Sequence, residues 1–133
     1  MKILKAITLM AFMLQHSILL AETYERDTNG DGKIDLKYHK IIPGPDGQES
    51  FDYDRNGDGI FEEHRDIDFF QGRVSREVAS FGIEQKSKRP NEIHTSTYLH
   101  SKNKISVLIE KDPQRNGKLE FFKTFLKDDL PSD

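Results

Sequence analysis

The sequence predicts an all-β fold, an antiparallel meander of hairpins, behind an N-terminal export signal. Three observations carry this reading. Apolar and polar residues alternate with period two in short runs. Turn residues separate those runs at short intervals. An Asp- and Gly-rich motif recurs at hairpin spacing, giving a period of about 28 residues with one hairpin each.

Residues 1–21 read as a secretory signal rather than part of the fold. Lys2 and Lys5 form a basic start, Ile7 to Leu14 is an apolar core, and Ser17-Ile18-Leu19-Leu20-Ala21 leads to a cut before Glu22. Gln15 and His16 interrupt the apolar run, whereas a bilayer span needs about 20 uninterrupted residues. The expected product is exported, periplasmic or secreted, with no stable membrane anchor after signal cleavage. A single β-rich domain is expected over 22–133.

The strands follow in order. Ile34, Leu36 and Tyr38 alternate with Asp35, Lys37 and His39, and Pro43-Gly44-Pro45-Asp46-Gly47 ends that run. Phe51 and Tyr53 alternate with Asp52 and Asp54. A strand over Phe61 to Phe70 closes at Gln71-Gly72. Val74 to Ile83 is read as a strand, although Phe70, Val74, Val78 and Phe81 also fit helical spacing with Gly82 as a terminator. Ile93 to Leu99 precedes the turn Ser101-Lys102-Asn103-Lys104. Ile105 to Ile109 is the most apolar run after the signal and is expected to be the central strand. Phe69-Phe70 and Phe121-Phe122 put aromatics on both faces of their strands. A two-sided core is the preferred reading, and a partner surface the alternative.

The motif itself is Asp27-Thr28-Asn29-Gly30-Asp31-Gly32-Lys33-Ile34-Asp35, repeated 27 residues later as Asp54-Arg55-Asn56-Gly57-Asp58-Gly59-Ile60-Phe61-Glu62. Oxygen-bearing side chains stand at positions 1, 3, 5 and 9, with Gly at position 6. That spacing wraps oxygens around a hard cation, and Ca²⁺ takes six to eight of them. Mg²⁺ fits less well because it demands a tighter octahedron. Position 12 of a helical EF-hand supplies a bidentate Glu; here it is Tyr38 and Arg65. The five residues from Glu22 to Arg26 are too few for a stable entry helix. Both loops are therefore expected at hairpin ends.

Asp112-Pro113-Gln114-Arg115-Asn116-Gly117-Lys118-Leu119-Glu120 keeps the outline with two carboxylates and is expected to be a metal-free hairpin turn. A fourth echo at Lys86 to Ile93, with Ile93 in the place of Ile34, Phe61 and Leu119, has lost every ligand position.

The first loop, with its flanking strand, resembles the calcium loops of FG-GAP and VCBS repeats in β-rich exported bacterial proteins. The resemblance covers the two loops and their flanking strands, not the whole chain. It implies a first site of Asp27, Asn29, Asp31, the Lys33 carbonyl and Asp35. It implies a second of Asp54, Asn56, Asp58, the Ile60 carbonyl and Glu62. Two Ca²⁺ ions are the expected cofactors. Without a position-12 Glu, affinity on the order of 10⁻⁴ to 10⁻³ M is expected.

Composition supports a structural role for the ion. The chain has no Cys, and only 31 of the 112 residues from Glu22 to Asp133 are hydrophobic. Packing alone is thin, and a ligand that binds only the folded state adds stability. Charge is uneven: residues 22–70 hold 14 acidic against 6 basic residues, a net of −8, and residues 71–133 hold 9 against 12, a net of +3. Nucleic acid is not expected as a partner, and Lys86-Ser87-Lys88-Arg89 reads as a solvated loop. His39, His64, His94 and His100 form no paired metal motif, and no nucleophile elbow or P-loop is present. The expected function is a non-enzymatic, exported calcium-binding module with an unknown protein or surface partner. The alternatives are an EF-hand-type sensor or buffer and a small secreted metal-dependent hydrolase.

Overall fold

The structure is a computed structural model and describes residues 22–129; the predicted signal segment lies outside the described residues. Eight antiparallel strands form one sheet in sequence order, as the alternation predicts: β1 (Glu22–Arg26), β2 (Leu36–Ile42), β3 (Gln48–Tyr53), β4 (Glu63–Phe70), β5 (Arg73–Phe81), β6 (Glu92–Leu99), β7 (Lys104–Lys111) and β8 (Glu120–Asp128). Among the described residues the only helical segment is the 3₁₀ turn His100–Lys102. The region where strand and helix competed is strand β5. Its apolar residues find partners across the sheet, and that tertiary pairing outweighs the helical spacing.

Every pair is antiparallel, so residues in register share a face. One row crosses the whole sheet: Tyr24, Tyr38, Phe51, Arg65, Ala79, His94, Ile109 and Lys123. On this face Tyr24 stacks on Tyr38 with centroids 4.6 Å apart, and Tyr38 meets Phe51 at 5.1 Å. Such pairs add ~0.5–1.5 kcal/mol beyond area burial. Burial and a hydrogen bond to Glu49 push the Tyr38 phenol up to about 12. The same face carries the core of β7, where Ile105, Val107 and Ile109 are buried and Tyr98 packs against them. The opposite face is mainly polar, with the rows Lys37, Asp52, His64, Ser80 and His39, Ser50, Asp66.

Two expectations change here. The Ile105–Ile109 strand holds the core, yet it is seventh of eight rather than central. Chain order alone sets strand position in a meander, whatever the strand's hydropathy. The two-sided core at Phe121-Phe122 does not form either. β8 is an edge, and Phe121, Phe122 and Leu126 are 67%, 52% and 63% exposed.

Strand direction alternates, so the β1–β2, β3–β4, β5–β6 and β7–β8 connections all emerge at one end of the sheet. The opposite end carries the short turns. There Phe69 and Gly72 donate to the carbonyls of Gly47 and Pro45 at 2.9 and 2.8 Å, and the Gln71 N–H donates to the Asp46 carboxylate.

Candidate metal centre

The two acidic loops lie side by side at the long-loop end. In each, the position-1 aspartate is the hub. Asp27 Oδ1 accepts from Gly30 at 2.7 Å and its Oδ2 accepts from Gly32 at 2.7 Å. Asp54 repeats this with Gly57 at 2.9 Å and Gly59 at 2.8 Å. Wrapping the chain around one carboxylate needs a left-handed residue at position 6, and Gly32 and Gly59 have φ of +85° and +87°. Asn29 and Asn56 accept from the N–H groups of Asp31 and Asp58, and those carboxylates accept from Lys33 and Ile60, both at 2.8 Å. Lys33 and Ile60 thus occupy the position-7 corner of each loop.

The loops differ at position 9. In the first, both Asp35 oxygens turn back to Thr28, taking its N–H at 2.9 Å and its hydroxyl at 2.8 Å. These bonds, the backbone one foremost, hold the Asp35 carboxyl below its usual value. In the second, Glu62 Oε1 accepts from the Arg55 N–H at 2.8 Å. The extra methylene leaves the second oxygen free of that turn. Glu62 Oε2 is buried with no hydrogen-bond partner, and Asp54, Asp58 and Glu62 bring carboxylate oxygens within 4.8 Å of one another. Among the described residues this is the one such trio, so Asp27, Asp31 and Asp35 are not gathered in the same way.

No family model, curated protein or solved structure matches this chain.

The loop geometry therefore stands on its own chemistry. An anionic carboxylate oxygen kept from water without a donor is costly, because burial penalises the charged form. Three such groups close together repel one another unless a cation lies among them. The donor set is all oxygen, which suits a hard divalent ion.

Residues outside the expected ligand set hold the second loop in place. The Arg55 guanidinium reaches Glu63 at 2.7 Å and lies 4.0 Å over the Tyr53 ring. Glu63 is buried, and Arg65 also donates to it at 3.4 Å. Arg55 thus secures Glu62 through its backbone and Glu63 through its side chain. The adjacent acids Glu62-Glu63 after the loop were the only signal of this in the sequence.

The Asp112 loop keeps the same frame. Asp112 accepts from Asn116 and Gly117 at 3.1 and 2.8 Å, Asn116 accepts from Lys118, and Gly117 has φ of +83°. At position 4, where the others have Gly, Arg115 extends to the Gly82 carbonyl and Glu84 at 3.2 and 3.1 Å. A fixed cation thus braces this loop.

The fourth copy is present in a different register from the one the sequence suggested. Asp35 accepts from the Asp54 N–H, Glu62 from Ile83, and Asn91 from Asp112, at 2.9, 3.0 and 2.8 Å. Each bond joins position 9 of one loop to position 1 of the next. Ile83 to Asn91 is therefore the missing nine-residue loop, displaced from the Lys86–Ile93 alignment. Its position 6 is Lys88, with φ of +59°. The loop shares the inter-loop bonds and the left-handed sixth position with the other three but has no side-chain hub at its first, which is why side-chain similarity suggested another register.

This loop and the second acidic loop flank a cleft of about 480 Å³ on the polar face, with Asp52, His64 and Ser80 on its floor. His64 contacts Asp52 at 2.6 Å and Asp66 at 3.1 Å. Burial works against its positive charge, but the two carboxylates outweigh it and raise the pKa above 6.5.

Proposed function

We propose that this protein is an exported calcium-binding module in which Ca²⁺ clips the long-loop end of the meander, a structural or binding role rather than catalysis. The observation that carries this reading is the Glu62 Oε2 atom, buried without a donor beside the carboxylates of Asp54 and Asp58. Asp54, Asn56, Asp58, the Ile60 carbonyl and Glu62 would form the principal site. Asp27, Asn29, Asp31, the Lys33 carbonyl and Asp35 would form a weaker one, its Asp35 released from Thr28 on binding. When bound, the ion supplies charge neutralisation between strands that hold a large acidic excess. It has no helices to reorient, because strands flank both loops.

Isothermal titration with Ca²⁺ tests this, run on the wild type, Glu62→Gln and Asp58→Ala. Binding that weakens in both variants supports the second loop as the main site. No heat and no thermal shift at millimolar Ca²⁺ would sink the calcium reading. Equal binding by all three proteins would move the site elsewhere.

A further inference from the structure

We infer that the β8 edge of one copy pairs with the β1 edge of a second, continuing the meander from molecule to molecule. Among the described residues the sheet is open, with β1 and β8 as its edges. All nine residues of β8 are exposed, and Phe121, Phe122, Phe125 and Leu126 leave apolar surface along it. An edge with free backbone groups and apolar side chains is a template for another strand.

Two independent features select β1 of a second copy as the occupant. The first is the repeat. β8 follows the Asp112 loop as β2 follows the Asp27 loop, and β1 precedes the Asp27 loop as β3 precedes the Asp54 loop. A β8–β1 junction between copies therefore has the antiparallel sense of β2–β3 and keeps all long loops at one end. The bond joining position 9 to position 1, seen three times within the chain, would recur from the Asp27 N–H of one copy to the Glu120 carbonyl of the other.

The second feature is charge. Strand order equals sequence order, so the −8 of residues 22–70 lies toward the β1 edge and the +3 of residues 71–133 toward the β8 edge. β8 carries Lys123 and Lys127 together with Glu120 and Asp128, the last paired with Lys104. β1 carries Glu22 and Glu25 together with Arg26, its two acids also reaching Lys40 and Lys37 on β2. Edge lysines ordinarily discourage strand pairing. On β8 they are offset by Glu120 and Asp128, so the preference for β1 over a second β8 rests on the acidic excess of residues 22–70 at the far edge. Such a head-to-tail contact is heterologous and builds open chains rather than closed dimers.

Sedimentation velocity over a concentration series tests this on the protein as its own cells process it. The weight-average mass should rise at least about twofold above the monomer and fall back with added salt. Lys123→Glu/Lys127→Glu should remain monomeric, and its lysines make no ion pair among the described residues. Glu22→Lys/Glu25→Lys, which also gives up the pairs with Lys40 and Lys37 inside the chain, should remain monomeric as well. Mixing the two variants should restore association, since each then offers an edge the other lacks. Circular dichroism confirms that each variant keeps its sheet. A wild type that stays monomeric up to millimolar concentration overturns the inference. So does association that survives the Glu22/Glu25 change, which would point to β8–β8 pairing. Failure of the mixed variants to associate, with both folded, overturns it as well.

Discussion

The Asp54 N–H donates to the Asp35 carbonyl at 2.9 Å, so position 1 of the second loop hangs on position 9 of the first. A backbone bond thus ties the two acidic loops together.

Glu62→Gln is expected to weaken Ca²⁺ binding by about tenfold, the equivalent of ~1.4 kcal/mol. Asp35→Asn should weaken it less, because Asp35 is already engaged by Thr28. Calorimetric titration of both variants ranks the loops. A larger loss from Asp35→Asn would reverse the assignment of the principal site.

Chelation should lower the thermal midpoint. At a tenfold excess of ion over its dissociation constant, one site adds ~1.4 kcal/mol to stability. For a domain of this size that is a shift of several degrees. A calorimetric or circular dichroism melt with Ca²⁺ and with chelator reads it directly.

The core strand and the edge strand should respond differently to truncation. Ile109→Ala empties part of the buried β7 cluster and should cost ~2–4 kcal/mol. Leu126→Ser on the exposed edge should change monomer stability by less than ~0.5 kcal/mol. Urea denaturation at low protein concentration separates the two.

His64 should titrate above 6.5 in an NMR experiment, and Asp52→Asn should lower its pKa. The folded protein holds the imidazolium more tightly than the unfolded chain does. The stability this contributes is full below 6.5 and is lost as pH rises through the higher folded value. A His64 pKa at or below 6.5 would contradict the carboxylate sandwich.

Lys88→Gly should stabilise the protein by ~0.5–1 kcal/mol, because a left-handed backbone suits Gly better than any residue with a Cβ. A thermal melt checks it. Destabilisation would mean that the Lys88 side chain does more for the fold than its backbone strain costs.

Much of the site was legible because a loop built around a side-chain hub needs particular residues at fixed spacing. Asp27, Asp54 and Asp112 each stand five residues before a Gly that takes positive φ. The β5–β6 loop escaped this logic. Its conformation is held by bonds to the neighbouring loops at Ile83 and Asn91, which leave no mark in its own sequence.

By itself, the sequence determined the all-β class, the hairpin order and the nine-residue acidic loops, since alternation and turn chemistry are local. Tertiary structure alone decided three further matters. It gathered Asp54, Asp58 and Glu62 while leaving Asp27, Asp31 and Asp35 apart, a difference of one methylene and one Thr28 hydroxyl. It set the core strand β7 next to the edge of the sheet and left the aromatics of β8 exposed there. It also joined the four loops in one register. Each outcome depends on which backbone groups meet across strands, and that is a property of the assembled sheet.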